Sequence, residues 1–194
     1  MRTRARHNCL PALPPRFAKI GRVIPVAVVT GPVGVGKSTI LHEADSLLIR
    51  AGVPHATVEL EDIARYWGPR PGELRTRPDV AYQNLAAVWG NFSAAGADRL
   101  LLSLLMEQQG DLDPVHAVIP DARITVVRLQ APLAVIEERL RSRELTVLDQ
   151  ELSAARWWVS RLEGSTFGDY AVDNGSRPPR QVAAEVLRKL RWID

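Results

Sequence analysis

The sequence has little of several features that would define a site or a compartment. Cys9 is the only cysteine among 194 residues, which excludes an internal disulfide framework and a cysteine-based zinc site and fits a reducing compartment. The longest uninterrupted apolar run is about seven residues, at positions 23–29, whereas a transmembrane helix needs about 20. The start of the chain also lacks the apolar stretch of a secretory signal. We therefore expect a cytoplasmic protein without a membrane partner.

Acidic residues are missing from the first 22 positions, which contain six basic residues and the prolines Pro11, Pro14 and Pro15. The whole chain has a net charge of +3, so residues 23–194 alone have −3. Such an arm binds phosphate backbones or acidic membranes in some proteins and is a disordered leader in others. We interpret residues 1–22 as a disordered arm and residues 23–194 as one domain, and we do not expect a nucleic-acid partner. Docking of the arm on nucleic acid stays as the alternative.

Apolar β-branched runs alternate with helical patterns through residues 23–194. The pattern predicts strands at residues 23–30, 56–60, 99–106, 124–130 and 170–174. It predicts helices at residues 37–51, 80–97, 133–143, 149–163 and 179–192, and an irregular stretch at 66–78. Strands that alternate with helices indicate a parallel sheet covered on both faces, with the ligand crevice at the carboxyl ends of the strands. We therefore predict the α/β class, with a five-stranded parallel sheet in three layers.

Residues 31–38, Gly-Pro-Val-Gly-Val-Gly-Lys-Ser, match the phosphate-binding pattern G-x-x-x-x-G-K-[ST]. The glycines let the backbone turn with positive φ and point several N–H groups at an anion. The helix that follows directs the positive end of its dipole to the same point. Lys37 supplies a charge for the terminal phosphates, and Ser38 offers a hydroxyl to Mg²⁺. We predict nucleotide binding by Gly31, Val33, Gly34, Val35, Gly36, Lys37, Ser38 and Thr39.

Several classes of P-loop protein are excluded by what the chain does not contain. None of the three lysines is followed two residues later by aspartate, so the guanine-reading N/T-K-x-D of GTPases is absent. A transporter-type LSGGQ signature is also absent. About 170 residues leave no room for an AAA-type lid domain beside the core. A small kinase needs only the sheet, a carboxylate for the metal, an acceptor site and an arginine-bearing lid.

Glu59 and Glu61 stand at the end of the second predicted strand, in the run Glu-Leu-Glu-Asp. Alternation in an extended strand puts both on one face, at the crevice of a parallel sheet. One carboxylate there would orient Mg²⁺ and another would accept the proton of an attacking hydroxyl. We predict that Glu61 accepts the proton and that Glu59 binds the metal, and the reverse assignment of the two roles stays open. The alternative to both roles is an exposed acidic strand end. Glu107, after the third predicted strand, is a further candidate for the metal.

Arg139 and Arg143 lie four residues apart on a predicted helix and therefore share a face. Arginines beside the phosphates neutralise charge in a loose phosphoryl-transfer transition state and exclude water as a lid closes. We predict a catalytic role for both. Glutamates are interspersed with these arginines, so the alternative is a salt-bridged, solvated helix. Arg156 and Arg161, on the next helix, allow the same two interpretations.

The fifth predicted strand ends in Asp-Asn-Gly-Ser-Arg-Pro, an Asn-Gly turn before a helix that begins at proline. In this architecture the loop lies beside the first crossover helix and packs on the adenine. We predict nucleotide binding by Asn174, Gly175 and Arg177. As local structure alone, the segment is a helix entry with proline in the first turn.

The phosphate loop, the acidic run at 59–62 and the segments 128–144 and 170–187 together resemble the P-loop small-molecule kinases. That group includes adenylylsulfate, shikimate, gluconate and nucleotide kinases, and the resemblance extends over roughly residues 24–190. It implies the P-loop nucleoside triphosphate hydrolase fold, with ATP and Mg²⁺. In that family an Asp-x-Asp pair contacts Mg²⁺-bound water and the acceptor hydroxyl, and Glu59 and Glu61 match it with one more methylene each. The resemblance also implies that Arg139 and Arg143 are lid arginines and that residues 174–177 contact adenine.

Acceptor specificity is expected between residues 62 and 91, which follow the acidic pair. The segment contains several arginines, which point to an anionic acceptor, and Trp67, which stacks on a ring. We predict acceptor binding by Arg65, Trp67, Asn84 and Asn91; a solvated loop is the alternative. The leading hypothesis is an ATP- and Mg²⁺-dependent phosphotransferase acting on a small molecule. The second is a nucleotide-binding regulatory module with weak or no ATPase activity.

Overall fold

The computed structural model describes residues 23–65, 78–143 and 146–194. Its strands are β1 (Ile24–Thr30), β2 (Ala56–Glu59), β3 (Leu100–Ser103), β4 (Ala122–Gln130) and β5 (Tyr170–Asp173). All neighbouring strands are parallel, and their order across the sheet is β2-β3-β1-β4-β5. The predicted α/β class and five-stranded parallel sheet are confirmed. The arm at 1–22 and most of the predicted irregular stretch at 66–78 lie outside the described residues.

Seven α-helices are described around this sheet: α1 (Lys37–Arg50), α2 (Leu60–Ile63), α3 (Pro78–Ala95), α4 (Asp113–Val118), α5 (Leu133–Arg141), α6 (Leu148–Leu162) and α7 (Pro179–Lys189). A 3₁₀ turn at Gln109–Leu112 precedes α4. The long helices match the predicted ones within a few residues. The sequence did not predict α2, α4 or the 3₁₀ turn, because four to six residues are too few for a helical period to stand out. No helix in the described ranges is long and apolar enough to cross a lipid bilayer.

Two apolar cores pack against the two faces of the sheet. Ala27 and Val29 of β1 belong to the first core, with side chains from α1, α5, α6 and α7. Val26 and Val28 belong to the second core, with side chains from α3 and the segment after β3. A strand covered on both faces explains why β1 is almost continuously apolar rather than alternating. This confirms the three-layer arrangement.

The strand register brings the carboxyl ends of β2, β3 and β1 together on one half of the sheet. Val29 of β1 pairs with Ser103 of β3, and Ser103 pairs with Glu59 of β2. The phosphate loop begins directly after β1, so it lies beside the ends of β2 and β3. The hydroxyl of Thr30 accepts a 3.2 Å hydrogen bond from the backbone N–H of Met106 and ties the segment after β3 to the start of this loop.

Candidate active site

The phosphate loop has a backbone conformation that requires glycine at two positions. Gly31 has φ +140°, and a Cβ there would lie 2.5 Å from the carbonyl oxygen of Leu129. Gly36 has φ +104°, and a Cβ there would lie 2.8 Å from Nδ2 of Asn174. L-residues rarely adopt these φ values, and the neighbouring atoms leave no space for a side chain. The loop therefore packs closely against β4 at Gly31 and against the β5–α7 turn at Gly36.

Lys37 begins α1 and folds back over the loop. Its Nζ donates to the carbonyl oxygens of Gly31, at 3.0 Å, and Pro32, at 3.3 Å. Burial lowers the pKa of the Lys37 ammonium, and the nearby carboxylates of Glu61, Glu59 and Glu151 act in the opposite direction. The ammonium therefore lies where an anion would compensate for its lost hydration.

The hydroxyl of Ser38 donates a 2.5 Å hydrogen bond to Oε2 of Glu59. This contact joins the first turn of α1 to the end of β2 and puts two oxygen ligands side by side. Hydroxyl and carboxylate oxygens are ligands that Mg²⁺ accepts, and the ion is commonly held by one or two carboxylates plus substrate phosphates rather than by an all-protein cage. No group of three or more His, Cys, Asp or Glu able to hold a metal occurs among the described residues. The two oxygens fit a magnesium ion that is completed by phosphate.

A cavity of about 390 Å³ opens above the loop at the carboxyl ends of the strands. It is polar, because carboxylates from β2, α2 and α6 face cationic side chains from α1 and the end of α5. Its lining includes Lys37, Ser38, Glu59, Glu61, Ser103, Arg143 and Glu151. This is the crevice that the doubly wound topology predicts.

The far side of the loop is held by two side chains that converge on one atom. The carbonyl oxygen of Val35 accepts hydrogen bonds from Nη1 of Arg139, at 3.1 Å, and from Nδ2 of Asn174, at 2.8 Å. Nη2 of Arg139 also donates to the carbonyl oxygen of Gly175, at 2.8 Å. We call Arg139 and Asn174 the Val35 clamp. The clamp fixes the peptide group between Val35 and Gly36, because the carbonyl oxygen of Val35 is directed at Arg139 and Asn174.

Comparison with known proteins gives a consistent result for the fold. No family model matches the chain. Over 96 residues it is 31% identical to the adenylate kinase of Saccharolobus islandicus, covering 48% of this chain and 49% of that enzyme. The chain thus spans about half the length of the curated relatives it matches.

The solved structures align over most of both chains. A sugar kinase from Janibacter superposes with a TM-score of 0.59 at 20% identity and covers 87% of this chain and 95% of its own. A gluconokinase from Sinorhizobium meliloti gives 0.55 at 20% identity, with coverages of 88% and 93%. The APS kinase of Mycobacterium tuberculosis, solved with AMPPNP and APS, gives 0.55 at 16%, with coverages of 87% and 98%. The fold is that of the P-loop kinases.

Within this P-loop kinase fold, the two predicted acidic residues reach the cavity by a different route from the expected one. The strand was expected to extend through Leu60, with alternation bringing Glu59 and Glu61 to one face. Instead β2 ends at Glu59, and Glu61 lies in the one-turn helix α2. Both carboxylates still line the cavity. The strand-alternation argument was therefore wrong in its geometry, because the chain turns into a helix at Leu60.

The structure puts the arginines at positions 139, 141, 143 and 156 in different environments. Arg141 and Arg156 both pair with Glu137, at 2.8 and 2.6 Å. Their hydrogen bonds lower the pKa of that carboxyl, the arrangement expected of a solvated, salt-bridged helix. Arg139 belongs to the Val35 clamp. Arg143 lines the cavity and has no ion pair with any residue in the described ranges.

Glu107 lies in a different environment from the other metal candidates. The third strand ends at Ser103 rather than at Met106, since the backbone leaves the sheet there. Ser103 therefore lines the cavity at the end of β3, while Glu107 forms a 2.9 Å ion pair with Arg161 of α6. The structure does not bring Glu107 together with Ser38 and Glu59.

The remaining predicted residues are distributed unevenly. Arg65 lines the cavity and pairs with Asp62, at 3.1 Å. Asn84 donates to the carbonyl oxygen of Ile63, at 2.7 Å, and so connects α3 to α2, whereas Asn91 is exposed on α3. Arg177 forms a 2.5 Å ion pair with Glu185 of α7. Thr39 is exposed on the first turn of α1, and Trp67 lies outside the described residues.

Glu151 is a cavity residue that the sequence reasoning missed. It lies in the first turn of α6, lines the cavity and is one of three carboxylates that oppose the lowered pKa of Lys37. More than a hundred positions separate it from the phosphate loop, and it belongs to no motif. The only available signal was its place in the acidic first turn of a predicted helix.

Proposed function

We propose that this protein is an ATP- and Mg²⁺-dependent phosphotransferase that acts on the hydroxyl group of a small molecule. The observation that carries the proposal is the contact between Ser38 and Glu59 beside Lys37, in one cavity with Glu61 and Arg143. A phosphate site, oxygen ligands for a metal, a carboxylate and an arginine are the parts that phosphoryl transfer needs.

The donor side of the cavity is suited to the phosphates of ATP. The loop offers backbone N–H groups, and α1 directs the positive end of its dipole toward them. The ammonium of Lys37 exchanges its contacts with the carbonyl oxygens of Gly31 and Pro32 for contacts with the terminal phosphates. An anion there restores the interactions that burial removed from the lysine. The APS kinase with the same fold was solved with an ATP analogue, which supports ATP as the donor.

Ser38 and Glu59 are the residues that would hold Mg²⁺. When bound, the ion neutralises charge on the β- and γ-phosphates and orients them for transfer. The hydroxyl hydrogen of Ser38 points at Glu59, so Glu59 keeps the Ser38 oxygen oriented toward the phosphates. Glu107, paired with Arg161, is the weaker candidate.

Glu61 is the proposed acceptor of the proton. The acceptor hydroxyl oxygen forms a bond to the γ-phosphorus, the bond between that phosphorus and the β–γ bridging oxygen breaks, and ADP leaves. The hydroxyl proton passes to the carboxylate of Glu61. Arg143, at the end of the helix that follows β4, stabilises the negative charge on the transferring group.

The Val35 clamp lies where the base of the nucleotide is expected. Oδ1 of Asn174 is buried and has no hydrogen-bond partner among the described residues. Such an oxygen is suited to accept an N–H from a nucleobase. Gly175 is held through its carbonyl oxygen by Arg139, while Arg177 is engaged by Glu185 and has the lesser part. Arg139 then acts mainly by positioning the loop rather than as a lid arginine.

A hydroxyl-bearing acceptor is supported by two of the similar structures, which are described as a sugar kinase and a gluconokinase. Arg65 reaches the cavity and is the best placed of the four predicted acceptor residues. Asn84 would act by holding α2, and with it Glu61, against α3. Asn91 and Trp67 stay as predictions from the sequence.

The test is acceptor-dependent release of ADP. The full chain is incubated with ATP and Mg²⁺ and a panel of sugars, sugar acids, hydroxy acids and nucleosides, and ADP is measured with and without each compound. We expect at least one class to raise the rate well above the background hydrolysis. A chain that binds ATP but shows no stimulation by any class would contradict the proposal.

One observation favours the second candidate, a nucleotide-binding regulatory module. Ser103 occupies the end of β3 in the cavity, where a carboxylate for the metal was expected, and Glu107 is paired elsewhere. A site with fewer metal carboxylates binds ATP and hydrolyses it slowly. The same ADP assay separates the two, because a regulator shows binding without acceptor stimulation.

A further inference from the structure

A second cavity, of about 220 Å³, borders the start of the phosphate loop. It is lined by Pro32, by Arg128 to Ala131 at the end of β4, and by Val159, Leu162 and Glu163 at the end of α6. We call it the Arg128 cavity. It is smaller than the about 300–1,000 Å³ that drug-sized ligands occupy, so it suits a small molecule or one end of a larger one.

Arg128 is the unusual residue in this cavity. Its side chain is 7% exposed, and its Nε is buried without a hydrogen-bond partner among the described residues. Nη1 makes one long contact, 3.4 Å, to the carbonyl oxygen of Leu162, and the guanidinium lies 5.5 Å from the ring centre of Phe167. No carboxylate in the described ranges forms an ion pair with it. A buried arginine normally has an anionic partner, since it stays charged and loses its hydration on burial.

The chemistry around Arg128 indicates what kind of ligand would pair with it. A guanidinium presents a planar pair of donors that matches a carboxylate or a phosphate. The walls beside it include the apolar Leu129, Val159 and Leu162, while Gln130 and the exposed Glu163 contribute the polar part of the lining. A ligand for this cavity therefore combines an anionic group with a small apolar body.

The position of the cavity relates this ligand to the transfer site. Pro32 lines the Arg128 cavity, and its carbonyl oxygen accepts from Nζ of Lys37 at 3.3 Å. Arg128 is also the register partner of Thr30, the residue directly before the loop. Pro32 and Thr30 thus connect the Arg128 cavity to the loop whose lysine is proposed to hold the terminal phosphates.

We propose that the Arg128 cavity binds the anionic end of the phosphoryl acceptor, a hydroxylated small molecule with a carboxylate or phosphate group. This rests on the proposed function, because it makes the ligand the acceptor. Arg128 takes the anion, the apolar wall takes the body of the molecule, and the hydroxyl end faces the donor phosphates.

The first experiment measures binding by calorimetry on the full chain, with benzoate and phenyl phosphate as probes and benzyl alcohol as the neutral control. We expect the anions to bind at least about tenfold more tightly than the alcohol, as one charge-assisted contact implies, and comparison of the two anions distinguishes carboxylate from phosphate. Arg128→Met removes the donors and Val159→Phe fills the cavity, so both lose this preference. Arg123→Met, at an exposed position of the same strand, keeps it. Equal affinity of wild type and Arg128→Met for the anions, or no binding, overturns the proposal.

The second experiment connects the site to turnover. ADP release is measured with glycerate and glycerol 3-phosphate beside glycerol, and with 3-hydroxybenzoate beside its methyl ester. We expect stimulation by anionic members only, lost in Arg128→Met while binding of an ATP analogue is unchanged. Anion binding without stimulation, or stimulation by neutral members, overturns the acceptor assignment. A wild-type chain that does not bind ATP contradicts the proposed function instead, and the calorimetry still decides whether Arg128 binds anions.

Discussion

Arg139 and Asn174 donate to the same carbonyl oxygen, that of Val35, from two different elements of the fold. One side chain comes from α5 and the other from the β5–α7 turn. Their shared acceptor lies in the phosphate loop, one residue before Gly36 and two before Lys37. The phosphate loop is therefore held at its middle as well as at its two ends.

The clamp predicts coupled losses of nucleotide affinity. Asn174→Ala and Arg139→Met should each weaken binding of an ATP analogue by about tenfold, because a hydrogen bond that orients the loop is lost. The double variant should lose less affinity than the product of the two single losses, with a coupling free energy of about 0.5–3 kcal/mol. Calorimetric titration with the ATP analogue measures each affinity. Arg141→Met, which removes only an exposed ion pair with Glu137, is the control, and strict additivity would show that the two donors act independently.

Two glycines with similar backbone angles separate strain from steric contact. Gly36→Ala and Gly96→Ala both place a side chain at positive φ, +104° and +112°, which costs about 1–2 kcal/mol. A Cβ at Gly36 meets Asn174 at 2.8 Å, whereas a Cβ at Gly96 meets nothing within 4 Å. Urea unfolding should show the larger loss for Gly36→Ala, and only that variant should lose ATP binding. Equal stability of the two variants would contradict the close approach.

Lys37 should be essential for transfer and dispensable for folding. Lys37→Met removes the charge proposed to hold the terminal phosphates, and we expect phosphoryl transfer to fall by about 10²–10³-fold, as for loss of one transition-state donor. Thermal unfolding should change little or improve, since the ammonium is desolvated in the fold. Lys189→Met is the matched control, because Lys189 forms a surface contact with Glu185. Near-normal turnover of Lys37→Met would refute the site.

The lowered pKa of Lys37 gives ATP binding a pH dependence with a defined sign. Burial lowers the pKa below the usual 10.5 in the free protein, and phosphates beside the ammonium raise it again in the complex. Affinity is therefore full below the pKa of the free protein and falls as pH rises through it. Titrations from pH 7 to pH 10.5 should show this decline. Lys37→Arg, which stays charged throughout, should show a flat profile, and a decline of equal size there would assign the effect to another group.

The two candidate metal carboxylates can be told apart by their magnesium requirement. Glu59→Gln should raise the Mg²⁺ concentration for half-maximal ADP release by about 10–100-fold, as expected when a ligand or its orienting partner is removed. Glu107→Gln breaks only the ion pair with Arg161 and should leave that concentration unchanged. The reverse pattern would move the metal toward the end of β3.

The parts that could be predicted from the sequence are those encoded over short distances. The phosphate loop is one continuous motif, and β1 and α1 are long enough for their patterns to be recognised. Glu61 reaches the cavity through a single helical turn, which no period reveals. The Val35 clamp joins residues 104 and 139 positions apart, and the pairing of Glu107 with Arg161 spans 54. Such contacts depend on how the layers assemble. The sequence therefore predicts which residues belong to the site but not which residues they contact.

The two apolar cores on either side of the sheet have a consequence for how the site can fail. Lys37 is carried by a helix of the first core, whereas Glu61 is carried by a short helix that packs beside α3 on the second. Local openings follow such cooperative units. A fluctuation that detaches the α3 layer would release the proposed proton acceptor while the nucleotide end stays intact. Loosening of the second core would therefore leave a protein that still retains ATP but no longer transfers its phosphate.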